Sequence, residues 1–322
     1  MDVTIVVPCY RSRETLPILL ERIQVVLGAD DSPVSRYEVI LVVDGSPDDT
    51  ASVALDLQRR MPHVRVLTLR RNYGQHNALL AGILRGRYPV TVTMDDDLQH
   101  RPEALAAMLA PLEDSAVDLV YGIAADEEHG VLRSLASRTV KLSLAASGVP
   151  NARDVSALRA FRTELREGFE HVADPFASVD VMLSWATSGV RRVDVPMDKR
   201  VHGRSSYSLR ALVRHAFSMV TGYSAVPLKF VTWLGMVCAL LGAVLLVRVL
   251  VGFLTGSTTV AGFTTLASMI ALFSGAQMLS IGILGEYVGR MHFRSMQRPP
   301  FLVRTDSHGD GQHQVSESRE RA

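Results

Sequence analysis

Residues 90–99 decide the fold: they read Val-Thr-Val-Thr-Met-Asp-Asp-Asp-Leu-Gln, a β-branched run that ends in three consecutive acids. A run that is apolar on both faces is typical of a strand buried in a parallel sheet. The strand candidates of this type are Val3–Val7, Glu38–Val43, Val64–Leu69, Val90–Met94 and Leu119–Tyr121. Helical patterns lie between them, at Leu16–Leu27, Thr50–Arg60, His76–Arg85 and Pro102–Leu112. The alternation predicts an α/β, Rossmann-like domain with a mostly parallel central sheet and helices on both faces.

The composition of the chain excludes several classes of protein. With 34 Lys and Arg against 33 Asp and Glu in 322 residues, the net charge does not predict a nucleic-acid partner. The two cysteines, Cys9 and Cys238, provide neither a disulfide framework nor a metal-binding spacing. The sequence has no Gly-x-Gly-x-x-Gly fingerprint after the first strand and no phosphate-binding P-loop. NAD enzymes and P-loop ATPases are therefore disfavoured.

The acids that follow the strand predict a metal site. Alternate residues of an extended segment point the same way, so Asp95 and Asp97 can face one cation, and Gln99 is the next residue on that face. Carboxylate and carbonyl oxygens suit Mg²⁺ or Mn²⁺. The alternative is a capped turn before a helix that begins near Pro102. Three consecutive carboxylates would repel one another strongly without a cation, which favours the metal site.

Other polar segments follow other predicted strands. Pro8 and Tyr10 follow the first strand, Asp44 follows the second, and Asn72 follows the third. Ligands of open α/β sheets bind beyond the carboxyl ends of the strands, so these residues and Asp95 are predicted to meet at one edge. A carboxylate such as that of Asp44 could accept hydrogen bonds from a base or a ribose there.

The second half of the chain carries a membrane signal. Residues 197–215 are basic and lead into apolar residues at helical spacing, which is typical of an amphipathic helix on a membrane surface; an ordinary surface helix is the alternative. Two apolar stretches follow, Phe230–Leu254 and Phe263–Val288, each longer than the roughly 20 residues that cross a bilayer as a helix. Lys and Arg flank these stretches but are absent from the linker 255–262. The positive-inside rule therefore predicts a two-helix transmembrane hairpin with both ends in the cytoplasm.

These features divide the chain into four parts. They are the α/β domain at 1–207, amphipathic membrane-interface helices at 208–228, the transmembrane hairpin at 229–290 and a cytoplasmic tail at 291–322. The tail is polar and is predicted to be disordered after about residue 304. Small residues would permit close helix packing within the hairpin or in a homo-oligomer: Gly235, Gly242, Gly275, Gly282 and Gly285.

The strand-end motifs, taken in order, resemble a known family. The motifs are Ile-Val-Val-Pro-Cys-Tyr (5–10), Val-Asp-Gly-Ser-Pro-Asp-Asp-Thr (43–50), Arg-Asn-Tyr-Gly-Gln (71–75) and Met-Asp-Asp-Asp-Leu-Gln (94–99). With the terminal hairpin they look like the family-2, GT-A-fold polyprenyl-phosphate glycosyltransferases. That family includes dolichol-phosphate mannose synthases, undecaprenyl-phosphate glucosyltransferases and 4-deoxy-4-formamidoarabinosyl transferases. The resemblance covers about residues 3–303.

The resemblance implies roles for the matching residues. It implies contacts with the donor nucleotide for Pro8, Tyr10, Asp44, Ser46, Asn72 and Asp95. It implies a metal site made of Asp95, Asp97 and Gln99, with Asp97 also catalytic. Asp154 resembles an acidic active-site position, which makes it a catalytic candidate; a helix cap is its alternative interpretation.

A further family element, Arg-x-x-Gly-x-Ser-Lys-Tyr, is matched near the membrane by residues 200–207, which read Arg-Val-His-Gly-Arg-Ser-Ser-Tyr. The resemblance implies that Arg200, Ser205 and Tyr207 bind the acceptor phosphate, with Arg200 also catalytic. Ser206 replaces the lysine of the family, and Arg204 would supply a comparable charge. This departure argues against assuming the specificity of dolichol-phosphate mannose synthase.

By resemblance, the chain is an inverting glycosyltransferase that moves one sugar from a UDP-, GDP- or dTDP-sugar to undecaprenyl or decaprenyl phosphate. Its cytoplasmic GT-A catalytic domain would act at a bacterial inner membrane, crossed by the hairpin, with Mg²⁺ or Mn²⁺ as cofactor. One alternative is a processive polysaccharide synthase, but neither Trp185 nor Trp233 fits the Gln-x-x-Arg-Trp motif of those enzymes. The other is a non-catalytic, lipid-binding membrane scaffold, against which the intact set of acids argues.

Overall fold

The computed structural model describes residues 1–124, 155–169, 178–198, 226–255, 262–296 and 299–308. The strands are β1 (Asp2–Cys9), β2 (Arg36–Val43), β3 (Val64–Leu69), β4 (Val90–Thr93), β5 (Leu119–Ala124), β6 (Arg159–Arg162), β7 (Val190–Val195) and β8 (Val303–Asp306). The helices are α1 (Thr15–Leu27), α2 (Thr50–Arg60), α3 (Gln75–Ile83), α4 (Leu105–Leu109), α5 (Val179–Ala186), α6 (Val226–Leu254) and α7 (Phe263–Ser295). The five predicted strands are confirmed, as are three of the four predicted helices. The fourth, Pro102–Leu112, is divided into α4 between two 3₁₀ turns, because Pro111 has no N–H to continue a regular helix.

The eight described strands form one sheet in the order β7-β5-β6-β4-β1-β2-β3-β8. The central strands β4, β1, β2 and β3 run parallel, and β1 pairs with β2 from Asp2↔Arg36 to Cys9↔Val43. Strands β6 and β8 run antiparallel to their neighbours, whereas β5 and β7 pair in parallel. The predicted Rossmann-like, mostly parallel sheet is confirmed.

Both faces of the sheet are covered, because the central strands are apolar at successive positions. Ile5 and Val7 of β1 belong to one core cluster together with Leu19 of α1. Val6 belongs to a second cluster on the other face, together with Leu79 of α3. Successive side chains of a strand point to opposite faces, so an unbroken apolar run requires helices on both sides.

The edge of the sheet where β1 lies between β2 and β4 is the point at which the strand order reverses. Ligands of open α/β sheets bind at such a switch point, outside the carboxyl ends of the strands. Strand β1 ends at Cys9 and β4 ends at Thr93, so the segments that begin at Tyr10 and Met94 are neighbours. The sheet order thus brings two of the predicted strand-end motifs together.

The two long helices α6 and α7 lie against each other, and the Cβ position of Gly242 is 3.6 Å from the ring of Phe273. Both helices are longer than predicted, since α6 begins at residue 226 and α7 continues to residue 295. Within the part of the chain that the structure describes, one segment, Val226–Val244, is long and apolar enough to cross a membrane. Most of the predicted interface region, residues 208–225, lies outside the described residues.

The prediction that the tail is disordered after about residue 304 is wrong for residues 305–308. The chain returns after α7 and adds β8 to the outer edge of β3, with Leu69 opposite Val303 and Leu67 opposite Asp306. The guanidinium of Arg65 holds Asp306 through two hydrogen bonds, of 2.9 and 2.6 Å. An edge strand offers unpaired backbone groups, so even a polar segment is ordered when it supplies the missing partners. Residues 309–322 lie outside the described part.

Candidate active site

A cleft of about 270 Å³ lies at the carboxyl ends of β1, β2, β3 and β4. We refer to it as the strand-end cleft. It is lined by Pro8, Cys9, Tyr10, Asp44, Asn72, Gly74, Gln75, Asp95, Asp96 and Asp97. Four separate segments of the chain therefore meet in one place, as the strand-end motifs predicted.

The acidic loop, residues 95–98, is held on each side by its neighbours. Asp95 accepts a hydrogen bond of 2.7 Å from the side-chain amide of Gln75. Asp97 accepts one of 3.1 Å from the backbone N–H of Gln99. Leu98 is buried and has a φ of 61°, a left-handed conformation that persists in a leucine only where the surroundings impose it. The turn thus places all three carboxylates of the acidic loop at the cleft.

Asp96 differs from its two neighbours because it bonds to the loop that follows β1. Its carboxylate accepts hydrogen bonds from the hydroxyl of Ser12 and, at 3.3 Å, from the backbone N–H of Tyr10. Burial raises the pKa of Asp96 to about 6 and outweighs the lowering by these hydrogen bonds, and the charges of Asp95 and Asp97 raise it further. The negative charge of the acidic loop is therefore only partly compensated by the residues that hold it.

Asp44 is buried and fastens the loop after β3. Its two carboxylate oxygens accept hydrogen bonds from the backbone N–H groups of Tyr73 and Gly74, at 2.7 and 2.8 Å. Burial raises the pKa of Asp44, and these two hydrogen bonds lower it. The role expected from the sequence was a direct contact with the nucleotide. The structure adds a second role, because Asp44 positions the wall of the cleft that contains Asn72.

Ser46 lies beside the strand-end cleft. Its hydroxyl donates a hydrogen bond of 2.5 Å to Asp48 and accepts one of 2.8 Å from the backbone N–H of Arg11. The side chain therefore connects the loop after β2 with the loop after β1. The described residues that line the cleft include neither Ser46 nor Gln99.

Gly45 allows the loops after β2 and β3 to approach closely. Its φ is +57°, and a Cβ at this position would lie 2.3 Å from the carbonyl carbon of Arg71 and 2.4 Å from the nitrogen of Asn72. Neither backbone atom can move without displacing the wall of the cleft. A glycine is required here for both conformation and space.

We predict that Gly45→Ala raises the KM of the substrate that binds in the strand-end cleft by about ten- to a hundredfold, because displacing a positioning loop by 1 Å has effects of that size. Steady-state kinetics measure this value. The matched control is Gly74→Ala, whose backbone conformation, with φ of 89° and ψ of 155°, is at least as strained for an alanine but whose Cβ would meet nothing within 4 Å. Equal effects of the two substitutions would show that strain, and not the close approach of the loops, is responsible.

A buried ion pair lies behind the acidic loop and was not found from the sequence. The guanidinium of Arg159 on β6 donates hydrogen bonds of 2.6 and 2.8 Å to Asp180 on α5. It also donates one of 3.1 Å to the hydroxyl of Thr93, the last residue of β4. The hydroxyl of Tyr121 donates to the same carboxylate at 3.3 Å. The only sign of this ion pair in the sequence is that Arg159 and Asp180 are charged residues with apolar neighbours.

The predicted site residues divide into three groups. Those that line the strand-end cleft together are Pro8, Tyr10, Asp44, Asn72, Asp95 and Asp97. Those that lie next to it are Ser46 and Gln99. Those that fall outside the described residues are Asp154, Arg200, Arg204, Ser205 and Tyr207. The sequence analysis assigned no role to Ser12, Gln75 or Asp96, although each belongs to a strand-end motif or directly follows one.

The acidic loop has the chemistry of a divalent cation site. Carboxylate oxygens are the ligands that hard cations such as Mg²⁺ and Mn²⁺ prefer, and Asp95, Asp96 and Asp97 all line the same cleft. Among the residues that the structure describes, no three His, Cys, Asp or Glu side chains form a group that could hold a metal. Mg²⁺ is usually bound by one or two carboxylates together with substrate phosphates, so the donor set fits a cation that binds with its substrate.

Comparison with known proteins identifies the family. Residues 4–170, more than half of the chain, match glycosyl transferase family 2. The chain belongs to glycosyl transferase family 2. It is therefore a glycosyltransferase, and the family predicted from the strand-end motifs is confirmed.

Two curated relatives cover nearly the whole glycosyltransferase chain. The undecaprenyl-phosphate 4-deoxy-4-formamido-L-arabinose transferase of Pectobacterium carotovorum subsp. carotovorum (strain PC1) is 31% identical over 94% of this chain and 92% of its own length. The enzyme of the same name from Edwardsiella ictaluri (strain 93-146) is 32% identical over 94% of this chain and 93% of its own length.

A solved structure shares the fold of this glycosyltransferase. Glucosyl-3-phosphoglycerate synthase from Mycobacterium tuberculosis, in complex with Mn²⁺, UDP and glucosyl-3-phosphoglycerate, superposes with a TM-score of 0.50. The alignment covers 70% of this chain and 80% of that chain, at 19% identity. The α/β domain thus has the predicted GT-A fold, a fold in which a divalent cation is bound together with a nucleotide in that relative.

Proposed function

We propose that this glycosyltransferase moves one sugar from a nucleotide-sugar donor to undecaprenyl phosphate or a similar polyprenyl phosphate, with inversion in a single displacement. The observation that carries the proposal is the strand-end cleft, in which Asp95 and Asp97 lie among residues suited to a nucleotide. The names of the curated relatives, which align with 94% of the chain, support a polyprenyl phosphate acceptor. The product would be a lipid-linked monosaccharide for cell-envelope glycans.

The nucleoside diphosphate of the donor is assigned to the strand-end cleft. The ring of Tyr10 is 44% exposed, and the guanidinium of Arg11 lies 5.6 Å from its centroid. An aromatic face and a cation are therefore available to a base and a phosphate. Pro8 and Asn72 line the same cleft, and Asp44 contributes by holding the loop that contains Asn72. Donors linked to UDP, GDP or dTDP all satisfy this chemistry.

We assign a divalent cation, Mg²⁺ or Mn²⁺, to Asp95 and Asp97, with Gln99 as a further candidate ligand. When bound, the cation would act as a Lewis acid on the leaving nucleoside diphosphate. Gln75 fixes the orientation of the Asp95 carboxylate through its 2.7 Å hydrogen bond, and the N–H of Gln99 does the same for Asp97. The protein thus orients both carboxylates before any ligand binds.

The acceptor phosphate is assigned to Arg200, Arg204, Ser205 and Tyr207. A phosphate monoester has a second pKa near ~6, so at pH 7 it is largely a dianion that needs positioning more than deprotonation. Its oxygen would attack the anomeric carbon while the bond from that carbon to the diphosphate breaks, and the electron pair leaves with the diphosphate. Cationic side chains lower the repulsion between the two anionic substrates. Asp154 would orient the acceptor or a sugar hydroxyl.

We propose that α6 and α7 form a transmembrane hairpin that crosses the bacterial inner membrane, with the catalytic domain on the cytoplasmic side. Large apolar side chains of both helices are exposed: Phe230, Trp233, Leu240, Leu266, Ile270 and Met278. An apolar surface of this extent is stable against lipid acyl chains and not against water. The anchor would hold the catalytic domain at the membrane surface, where the phosphate of a polyprenyl lipid is located.

The proposal is tested by single-turnover transfer with the full chain purified in detergent. The reaction contains undecaprenyl phosphate, Mg²⁺ or Mn²⁺ and one donor at a time from a panel of UDP-, GDP- and dTDP-sugars that includes 4-deoxy-4-formamido-L-arabinose. We expect one donor to give a lipid with a single added sugar. Excess EDTA should reduce the rate at least about a hundredfold, because removing a cation removes several kcal/mol of transition-state stabilisation.

The controls separate this function from its alternatives. Restoring Mg²⁺ after EDTA should restore transfer, which distinguishes cation removal from denaturation. A polymer in place of a single-sugar lipid would indicate a processive synthase. Bound lipid without product from any donor, in folded protein, would indicate a non-catalytic lipid-binding scaffold. Full activity in EDTA would contradict the assignment of a cation to Asp95 and Asp97.

A further inference from the structure

The segment 196–198 is attached to the residues that directly follow the acidic loop. His100 forms an isolated antiparallel bridge with Met197, and the backbone N–H of Asp198 donates a hydrogen bond of 2.9 Å to the carbonyl of Gln99. The guanidinium of Arg101 then holds the carboxylate of Asp198, with one hydrogen bond from Nε at 2.9 Å and a second, shorter one from Nη2. Backbone and side-chain contacts therefore join the same two short segments.

The ion pair is braced from helix α1. Arg22 donates hydrogen bonds of 3.3 and 2.7 Å to Glu103, two residues beyond Arg101, and its guanidinium also lies 3.9 Å from the second carboxylate oxygen of Asp198. Asp198 consequently faces two arginines from different elements. The end of the segment 196–198 is therefore held against helix α1 and the residues that follow the acidic loop.

Exposure of the pair indicates that it contributes little to the stability of the fold. The side chains of Arg101 and Asp198 are 42% and 32% exposed. Ion pairs with this much contact with water contribute little to the free energy of unfolding. The backbone bridge and the two-point ion pair at this short junction instead fix where the segment 196–198 lies relative to residues 99–101.

The positions of Arg101 and Asp198 in the sequence suggest which functional groups the junction aligns. Arg101 follows Asp97 by four residues, and Asp198 precedes Arg200 by two residues. A chain spans at most about 3.6 Å per residue, so these covalent distances are short. The pair is therefore joined by short covalent paths to the carboxylates assigned to the cation and to the start of the segment assigned to the acceptor phosphate.

We propose that Arg101 and Asp198 form a positioning clamp that sets the acceptor-binding segment against the acidic loop. The inference rests on the proposed function, since it assigns the clamp to the alignment of the lipid phosphate with the donor. Neither residue needs to touch a substrate. The clamp acts by fixing the position of Asp198, two residues before Arg200, because small displacements of reacting groups strongly reduce transfer rates.

The test is a double-mutant cycle of Arg101→Ala, Asp198→Ala and the double variant, with the full chain in detergent. We expect each single variant to lower kcat/KM for undecaprenyl phosphate by about ten- to a hundredfold, with the KM for the nucleotide sugar within about twofold of wild type. The double variant should be no worse than Asp198→Ala alone, because Asp198→Ala already removes the interaction that Arg101→Ala removes. Arg101→Lys, which keeps the charge but not the two-point contact, should recover part of the loss.

The matched control is the exposed pair Arg36 and Asp2, in which the guanidinium also makes two hydrogen bonds to one carboxylate, of 3.1 and 2.5 Å. This pair lies at the opposite end of β1 and β2, so Arg36→Ala should leave both kinetic constants unchanged. The clamp is refuted if Arg101→Ala behaves like Arg36→Ala, if the two losses add, or if the donor KM and the thermal midpoint change as much as the lipid kinetics. Absence of glycolipid from the wild-type chain would instead reject the proposed function, and the clamp with it.

Discussion

Asp97→Ala should reduce sugar transfer by at least about a thousandfold while the protein remains folded. Loss of one carboxylate from a two-carboxylate cation site removes several kcal/mol of charge stabilisation, and each 1.36 kcal/mol corresponds to a factor of ten in rate. Asp97 lines the strand-end cleft and lies on the turn that contains the left-handed Leu98. Its partner Asp95 would then face the cation alone.

The rate is measured by single-turnover transfer, and folding by the thermal midpoint. Binding of Mn²⁺ in the presence of a nucleoside diphosphate provides a readout that does not depend on activity, and it should weaken in the same variant. The matched control is Asp49→Ala, which removes an exposed acid at the start of α2 that does not line the cleft. Asp97→Ala with more than a tenth of the wild-type rate would remove Asp97 from the metal site.

Asp180→Ala should destabilise the α/β domain more than any of the other substitutions proposed above. Arg159 and Asp180 are each about 95% buried, and the change leaves the guanidinium without its carboxylate. Breaking a buried ion pair by removing one partner costs about 3–5 kcal/mol. For a domain of this size that corresponds to a fall of roughly 6–20 °C in the thermal midpoint.

Two controls distinguish the buried charge from a general loss of packing. Replacing both partners by apolar residues, as in Arg159→Met with Asp180→Leu, should bring the midpoint back toward that of the wild type, because no uncompensated charge remains. Arg59→Ala removes an exposed partner of Asp56 and should change the midpoint by less than about 2 °C. If the thermal midpoint of Asp180→Ala lies within about 2 °C of the wild-type midpoint, the buried pair contributes nothing to the stability of the domain.

The acidic loop shows which features of the site could be predicted from the sequence. The strand before it was predictable because β-branched residues buried on both faces leave an unbroken local pattern, and the alternation of Asp95 and Asp97 follows from the geometry of an extended chain. The partners of Asp95 and Asp96 were not predictable. Asp95 is oriented by Gln75 and Asp96 by Ser12, and both contacts join segments that are distant along the chain.

Asp44 shows a different limit of the sequence. Its place after a buried strand predicted correctly that it would lie at the cleft. Its residue type suggested a ligand contact, but a carboxylate is equally suited to backbone N–H groups. The structure places Tyr73 and Gly74 against both of its oxygens. Only the approach of the loop, made possible by Gly45, shows that Asp44 has this second role.

The alternating α/β domain, the acids at the strand ends and the two long apolar helices could be predicted from the sequence alone. The spacing and length of apolar runs along the chain indicate which segments form buried strands and which form helices. The tertiary structure alone decided the order of the strands, the addition of β8 to the edge of β3, and the pairing of Arg159 with Asp180. The contact of Arg65 with Asp306 spans 241 positions. Pairings of that kind depend on which surfaces meet in space, and a local pattern carries no information about a partner so far along the chain.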